Sequence, residues 1–481
     1  MAFCKMSKSL YRNFKLYQYV FLIFPYFFYS IFIFLSWNDF FQLKYLVFFK
    51  ESSNKKDSNA LNISNIEADS TPNHFVSFMK KFSFLKKLPH GFMSADEETR
   101  VGILKGLTEY AIKEPLYPIN ETCTQDLDFE PNCAAHPDVF SKKRDKPAKV
   151  AHLIQFGCDV DVLEIHLNEL YAVVDKFFIT ESVIFHKLST PKLLTWPIVS
   201  KQERFKKFLD KVVYFPITKE VHLAHLNYGN GLFQNENVQE RLRWEFFLKW
   251  NKEHDNYFGD NDVIGFGDTD EIASYKNVLL LKHCQQRGTT DIGIWFTFGK
   301  INMYGVLTGF HIRGVNTAYG DPTYYLLKDA KKSSFPSRQR GRSPYFLIGG
   351  LHLTLYQYLP SVLTKTMSET EGDAYEMKYF FDILEQNYSI FQLELLFSKF
   401  MQDKWASHGL YHKLDPKKIG TPPFILPWFL ACNQKRYSST TADQIQDKRL
   451  KTPINVLDLT KQSVLKANEE ALREFKPQSL K

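Results

Sequence analysis

From Val150 onward the chain alternates short apolar runs with segments whose apolar residues recur at helical spacing. VAHLIQF, at 150–156, has the length and composition of a buried strand. Asp159 or Asp161 can cap the segment that follows, in which Val162, Leu163, Leu167, Leu170 and Tyr171 share a helical face. Strands are expected at 176–180 (KFFIT), 212–217 (VVYFPI) and 262–267 (DVIGFG), with a helix over 237–252 carrying Leu242, Phe246 and Trp250 four apart. The run from Ile292 reads as strands or a hairpin, 344–354 as a strand, and 375–386 and 391–403 as helices. Strands alternating with helices predict an α/β fold with a mostly parallel sheet covered on both faces.

The N-terminal pattern differs in kind. No charge lies between Lys15 and Asp39. As a helix rising ~1.5 Å per residue, 16–38 would cross the ~30 Å hydrocarbon core of a bilayer. Lys5, Lys8, Arg12 and Lys15 precede it, which keeps the N-terminus cytosolic and sends the rest across. A cleaved signal is the alternative, but its apolar core is only ~7–15 residues and ends at small residues, whereas Leu35-Ser36-Trp37 is a poor cleavage site. Residues 50–70 are polar and stem-like. Residues 74–92 suit an amphipathic helix lying on the membrane or on the body, or a solvated surface helix, and 141–149 a basic linker. After Tyr437 the chain turns polar, with a surface helix or tail expected over 455–475. The division is a cytosolic tail (1–15), a transmembrane signal anchor (16–38), a stem and N-terminal lumenal region (39–148), a catalytic domain (149–437) and a polar C-terminal tail or helix (438–481).

The 481 residues are 44% hydrophobic and 24% charged, which excludes a wholly disordered chain. A net charge of +8 is modest for this length and gives no reason to expect nucleic acid. Acceptor triplets for N-glycosylation begin at Asn62, Asn120 and Asn387, consistent with a lumenal body. Cys123 and Cys133 flank a polar loop and are candidates to pair there; five cysteines beyond the anchor leave at least one outside an internal bridge. None has zinc-finger spacing.

In open α/β sheets ligands collect at the carboxyl ends of the strands. Two expected strand ends carry acids: Glu181 after KFFIT, and Asp268-Thr269-Asp270-Glu271 after DVIGFG. Asp-x-Asp also occurs at 126/128, 159/161 and 260/262, but only 268/270 follows a strand and opens a loop. There it suits a hard divalent cation sharing diphosphate oxygens, or simply a solvated acidic turn. Gly265 and Gly267 would let a ligand approach the backbone. Arg338, Arg340 and Arg342 read as a solvated loop, with a grip on phosphate or an anionic sugar as the alternative. Phosphate-binding P-loops, nucleophile elbows, H-E-x-x-H and dinucleotide fingerprints are absent from the sequence.

The blocks LEIHLNELYAVVDKFFITES (163–182), DKVVYFPI (210–217), DVIGFGDTDEI (262–272), GGLHLT (349–354) and GTPPFILPWFLACNQKRY (420–437) resemble, in order, the catalytic domain of glycosyltransferase family 17. Its best-known members are β-1,4-mannosyl-glycoprotein 4-β-N-acetylglucosaminyltransferases, type II Golgi enzymes that add a bisecting GlcNAc to the core β-mannose of N-glycans. The resemblance implies a GT-A-like nucleotide-diphosphate-sugar transferase using UDP-GlcNAc and a divalent metal, Mn²⁺ with Mg²⁺ as the alternative. Its partners would be the UDP-sugar and a glycoprotein N-glycan. Asp268 and Asp270 match the family's Asp-x-Asp as metal ligands, Asp268 and Glu271 also facing the donor. Glu181 matches an acid near uridine or ribose, and His352 a metal or diphosphate ligand. An inverting reaction needs a base on the acceptor side; Asp373, then Glu371, are the candidates. The family's D-E-I-P reads Asp270-Glu271-Ile272-Ala273 here, and its E-S-N reads Glu181-Ser182-Val183. Its G-W-H-C-S-W block reads Gly350-Leu351-His352-Leu353-Thr354-Leu355. Those departures bear on the acceptor more than on the donor.

Overall fold

The computed structural model describes residues 73–229, 231–297, 304–307, 322–333, 335–338, 343–353, 358–368, 374–407, 426–437, 448–454 and 458–474. The expected span at 16–38, Arg340, Arg342, Glu371 and Asp373 lie outside them. Among the described residues no helix is long and apolar enough to cross a membrane.

The strands are β1 (Phe140–Lys143), β2 (Val150–Gln155), β3 (Lys176–Ser182), β4 (Val212–Ile217), β5 (Val263–Asp268), β6 (Glu271–Ala273), β7 (Cys284–Gln286), β8 (Thr290–Thr297), β9 (Tyr304–Leu307), β10 (Thr323–Leu326) and β11 (Tyr345–His352). The longer helices are α1 (Glu97–Ala111), α2 (Val160–Leu170), α3 (Gln234–Glu253), α4 (Tyr275–His283), α5 (Leu359–Ser368), α6 (Ala374–Leu384), α7 (Ile390–Ser407) and α8 (Lys461–Glu474). The main sheet runs β4-β3-β2-β5-β10-β8-β11-β6, with β9 paired to β8. Its first four strands are mutually parallel, and β10 joins β5 and β8 antiparallel. The fold is mixed α/β.

Every residue of β2 is buried because both faces of the sheet are covered. Val150 and Ile154 pack with Leu163 and Leu167 of α2 and Val278 and Leu281 of α4. Ala151 and Leu153 point the other way, into Leu242, Phe247 and Trp250 of α3. This alternation of faces is the period-2 rule of a strand. Gly265 is required by close packing inside the sheet rather than by a ligand: a Cβ there would lie 2.4 Å from the Tyr324 ring and 2.7 Å from His152. Gly349 and Gly350 have φ of +148° and +134° and stand where the β11–β8 register shifts. That irregularity carries the end of β11 onto β6, with His352 opposite Glu271.

Of the readings of 74–92, packing on the body holds: Phe75, Phe78, Met79, Leu85 and Phe92 enter one core with α5, α6 and α7. The expected C-terminal surface helix is α8, which packs on α1; ahead of it Arg449 is 1% exposed. The expected cysteine pairing is corrected. Cys123 and Cys133 do not pair with each other. Cys123 bridges Cys432, and Cys133 bridges Cys284 across β7, with Cα separations of 5.8 and 5.6 Å. Cys158 forms no disulfide.

Candidate active site

The carboxyl ends of β2, β3 and β5 open onto a small cleft of about 90 Å³. Gln155 and Asp159 line it after β2, Ser182 and His186 after β3, and Asp268, Thr269 and Asp270 after β5. Lys192 and Lys365, the latter from α5, complete the polar wall.

Thr269 fixes the acidic turn from beneath. Its N–H and Oγ1 both donate to the Gln155 carbonyl, at 3.2 and 2.9 Å. Its own carbonyl lies 2.8 Å from His166 Nδ1. His166 Nε2 is 3.0 Å from His152 Nε2, and His152 Nδ1 is 3.4 Å from the Tyr324 hydroxyl. One set of neutral tautomers satisfies this chain: Tyr324 O–H donates to His152 Nδ1, His152 Nε2–H to His166 Nε2, and His166 Nδ1–H to the carbonyl. Burial keeps both imidazoles neutral, pushing His152 well below its ordinary range and His166 down to about 4 against the pull of the Thr269 carbonyl.

The two aspartates on either side of Thr269 meet different cations. Asp268 Oδ2 is 2.6 Å from Arg338 Nη1, and its Oδ1 is 3.9 Å from Arg243 Nη1. Asp270 Oδ2 binds Lys365 Nζ and lies 3.3 Å from His352 Nε2. His352 thus stands beside Asp270. Glu271 is a brace: Oε2 accepts the Asp268 N–H at 2.9 Å, and Oε1 faces Arg338 at 2.7 Å. Arg338 is not a solvated loop residue. Its side chain is 5% exposed and also reaches Glu240 at 2.8 Å and Glu236 at 3.3 Å.

Glu181, expected near the donor, is wholly occupied by the chain itself. It binds Lys192 Nζ and accepts the Thr195 and Trp196 N–H groups at 2.7 and 3.0 Å and the Tyr214 hydroxyl at 2.9 Å. It therefore anchors the loop after β3. Asp159 and Lys365 are further residues of the cleft. Asp159 stands at the N-cap of α2 but makes no capping hydrogen bond; it borders the cleft with Oδ2 4.0 Å from Lys365 Nζ. Its strand-end position was the signal that capping obscured.

Residues 104–292 match the model of glycosyltransferase family 17. This region is similar to glycosyltransferase family 17. No curated protein and no solved structure matches the chain. The glycosyltransferase match contains β2 to β7 with Glu181, Asp268, Asp270 and Glu271, whereas Arg338, His352 and Lys365 lie beyond it.

Among the described residues no three His, Cys, Asp or Glu side chains are grouped to hold a metal ion. In charge and donor type the cleft nevertheless fits a hard divalent cation. Asp268 Oδ1 is buried without a hydrogen-bond partner, and among the described residues the acids outnumber the cations paired with them. Asp159, Glu236, Glu240, Asp268, Asp270 and Glu271 share Arg243, Arg338 and Lys365. Burial pushes Asp159 up to about 6 despite Lys365, and Asp268 up to about 8 despite Arg338, with Asp270 and Glu271 respectively adding to the rise.

Proposed function

We propose that this chain transfers GlcNAc from UDP-GlcNAc to the β-linked mannose of N-glycans, in β-1,4 linkage of the bisecting type, with inversion and a divalent metal, Mn²⁺ in preference to Mg²⁺. One observation carries the donor half: an Asp-x-Asp turn at the carboxyl end of β5 places both carboxyl groups in a cleft where, among the described residues, acids outnumber the cations paired with them. A dianionic diphosphate would be repelled from such a cleft unless a cation accompanied it. Asp268 and Asp270 would hold the metal, and His352 would orient Asp270. When bound, the ion supplies charge neutralisation for the departing nucleoside diphosphate. Asp373, or Glu371, takes the proton from the acceptor hydroxyl. The GlcNAc, mannose and linkage assignments rest on the family resemblance.

We place the protein as a single-pass type II membrane protein of the Golgi, with the ER as the alternative address and the catalytic body lumenal. The charge-free stretch at 16–38 supports the anchor. Two disulfides support an oxidising compartment.

A second reading, an inactive glycan-binding relative, draws on the fact that Asp268 and Asp270 already have resident cations. The full chain in detergent, with UDP-GlcNAc, Mn²⁺ and a panel of N-glycans, separates the two. Mn²⁺-dependent UDP release and a product one GlcNAc heavier establish the enzyme. Absence of both UDP binding and turnover in a folded chain establishes the relative. Donor binding without turnover points to a different acceptor, and turnover with another sugar corrects the donor.

A further inference from the structure

Lys365 is the only charged residue of α5, whose sequence is LPSVLTKTMS. Thr364 and Thr366 on either side are buried, so this helix delivers a single ammonium to the cleft wall. The ammonium is not spent on one partner. Its Nζ sits on Asp270 Oδ2 and 4.0 Å from Asp159 Oδ2, and all three side chains are at most 15% exposed. Asp159 follows β2 and Asp270 follows β5, so Lys365 ties together the two strand ends that border the cleft. An unbranched four-carbon stem lets an ammonium change partners with little movement of its backbone.

Resting on the donor reading above, we propose that Lys365 is an exchangeable internal cation. Without ligand it neutralises Asp159 and Asp270. When a divalent cation binds the turn, Lys365 releases Asp270 and offers its charge to the diphosphate of the nucleotide. A plain structural ion pair lacks that second role. The two differ in sign: an exchangeable lysine opposes the ion and favours the nucleotide.

The test uses the full chain in detergent, Mn²⁺ alone, and UDP at saturating Mn²⁺, both followed by calorimetry. Lys365→Met should bind Mn²⁺ alone about tenfold more tightly, because a competing charge has left a buried acidic pair, and UDP about tenfold more weakly. Its melting temperature should fall without Mn²⁺ and recover with it. Lys365→Arg keeps the charge, and with it the fold, and should bind Mn²⁺ no more tightly than wild type. Unchanged or weaker Mn²⁺ binding by Lys365→Met overturns the exchange, as does unchanged UDP binding. If Lys365→Met does not fold in any Mn²⁺ concentration, the lysine is structural and the proposal fails. Wild-type protein that binds no UDP in Mn²⁺ overturns the donor reading itself. Wild type that binds UDP beside an unresponsive Lys365→Met overturns this inference alone.

Discussion

Two buried charge clusters in this protein are built on opposite plans. In one, Asp161 and Glu164 of α2 meet Arg204 at 2.8 and 3.0 Å, Arg436 at 2.9 Å and Arg449 at 2.9 Å. These five side chains are at most 5% exposed, and the arginines outnumber the acids. Burial alone would raise Asp161, but Arg449 and Arg204 outweigh it and hold the carboxyl below its ordinary range. In the other cluster, among the described residues, six acids share three cations, and Asp159 and Asp268 are driven upward. A cluster whose acids are fully compensated is a clasp: it fastens the distant segments around 204, 436 and 449 to α2. A cluster left with surplus acid at the edge of a cleft has capacity for a further cation. Burial and charge density alone do not separate frame from site; the sign of the imbalance does.

The largest effect should come from the open cluster. Asp268→Asn removes the carboxylate that holds a buried oxygen without a hydrogen-bond partner. Transfer should fall roughly a thousandfold, the scale of losing a group that stabilises developing charge. Melting should change little, because Arg338 keeps Glu271 and Glu240. An Asp268→Asn protein that unfolds would make this cluster a frame as well and erase the contrast.

The closed cluster should behave in reverse. Arg204→Met strands parts of Asp161 and Glu164 in the interior, where breaking a buried pair costs about 3–5 kcal/mol. Denaturant unfolding should show that loss, while UDP affinity of the folded fraction stays near wild type. A donor-affinity loss as large as the stability loss would show that the clasp also shapes the cleft.

Acid should act on the turn between them through the histidine pair. His166 has a depressed value of about 4 in the fold against an ordinary value near 6.5. Above pH 6.5 it is neutral in both states and contributes no pH dependence. As pH falls from 6.5 toward 4 the unfolded chain takes up a proton that the folded chain refuses, so stability declines. The loss approaches roughly 3 kcal/mol by pH 4 from this group alone. His166→Gln should flatten that limb of the stability–pH curve; an unaltered limb would assign it to other groups.

The parallel half of the sheet was legible because its strands are apolar on both faces and its helices amphipathic. The strand at 212–217 matches its expected limits, and Asp268 and Asp270 stand at the strand end as expected. What escaped shares one cause: it depends on partners far away in sequence. β10 is four residues long and is defined by β5 and β8. Arg338 sits in a Ser- and Gly-rich stretch whose composition says loop, yet four distant acids bury it. Cys133 has a near neighbour in sequence at Cys123, but the β1–β7 pairing brings it to Cys284 instead. Glu181 ends the expected strand, but Lys192, Thr195 and Trp196 fold back over its carboxylate, which no local pattern announces.

The smallest effect tests how far the frame reaches into the cleft. Asn468 of α8 is 5% exposed. Its Oδ1 accepts the Leu194 N–H, and its Nδ2 donates to the Lys192 carbonyl, both at 2.8 Å. That pair of bonds fastens a surface helix to the loop that brings Lys192 to the cleft wall and Lys192 to Glu181. Asn468→Ala leaves a buried N–H and a buried carbonyl to find other partners, at about 1–2 kcal/mol in all. If the loop is held by this amide, the donor KM should rise a few-fold with kcat unchanged, since wall positions shift while the acidic turn does not. Asn468→Asp keeps the acceptor for Leu194 but faces the Lys192 carbonyl with a second acceptor, so it should be no better than alanine. Loss of stability without a change in KM would place α8 with the closed cluster, as frame alone; a rise in KM would show that the C-terminal helix belongs to the wall of the open one.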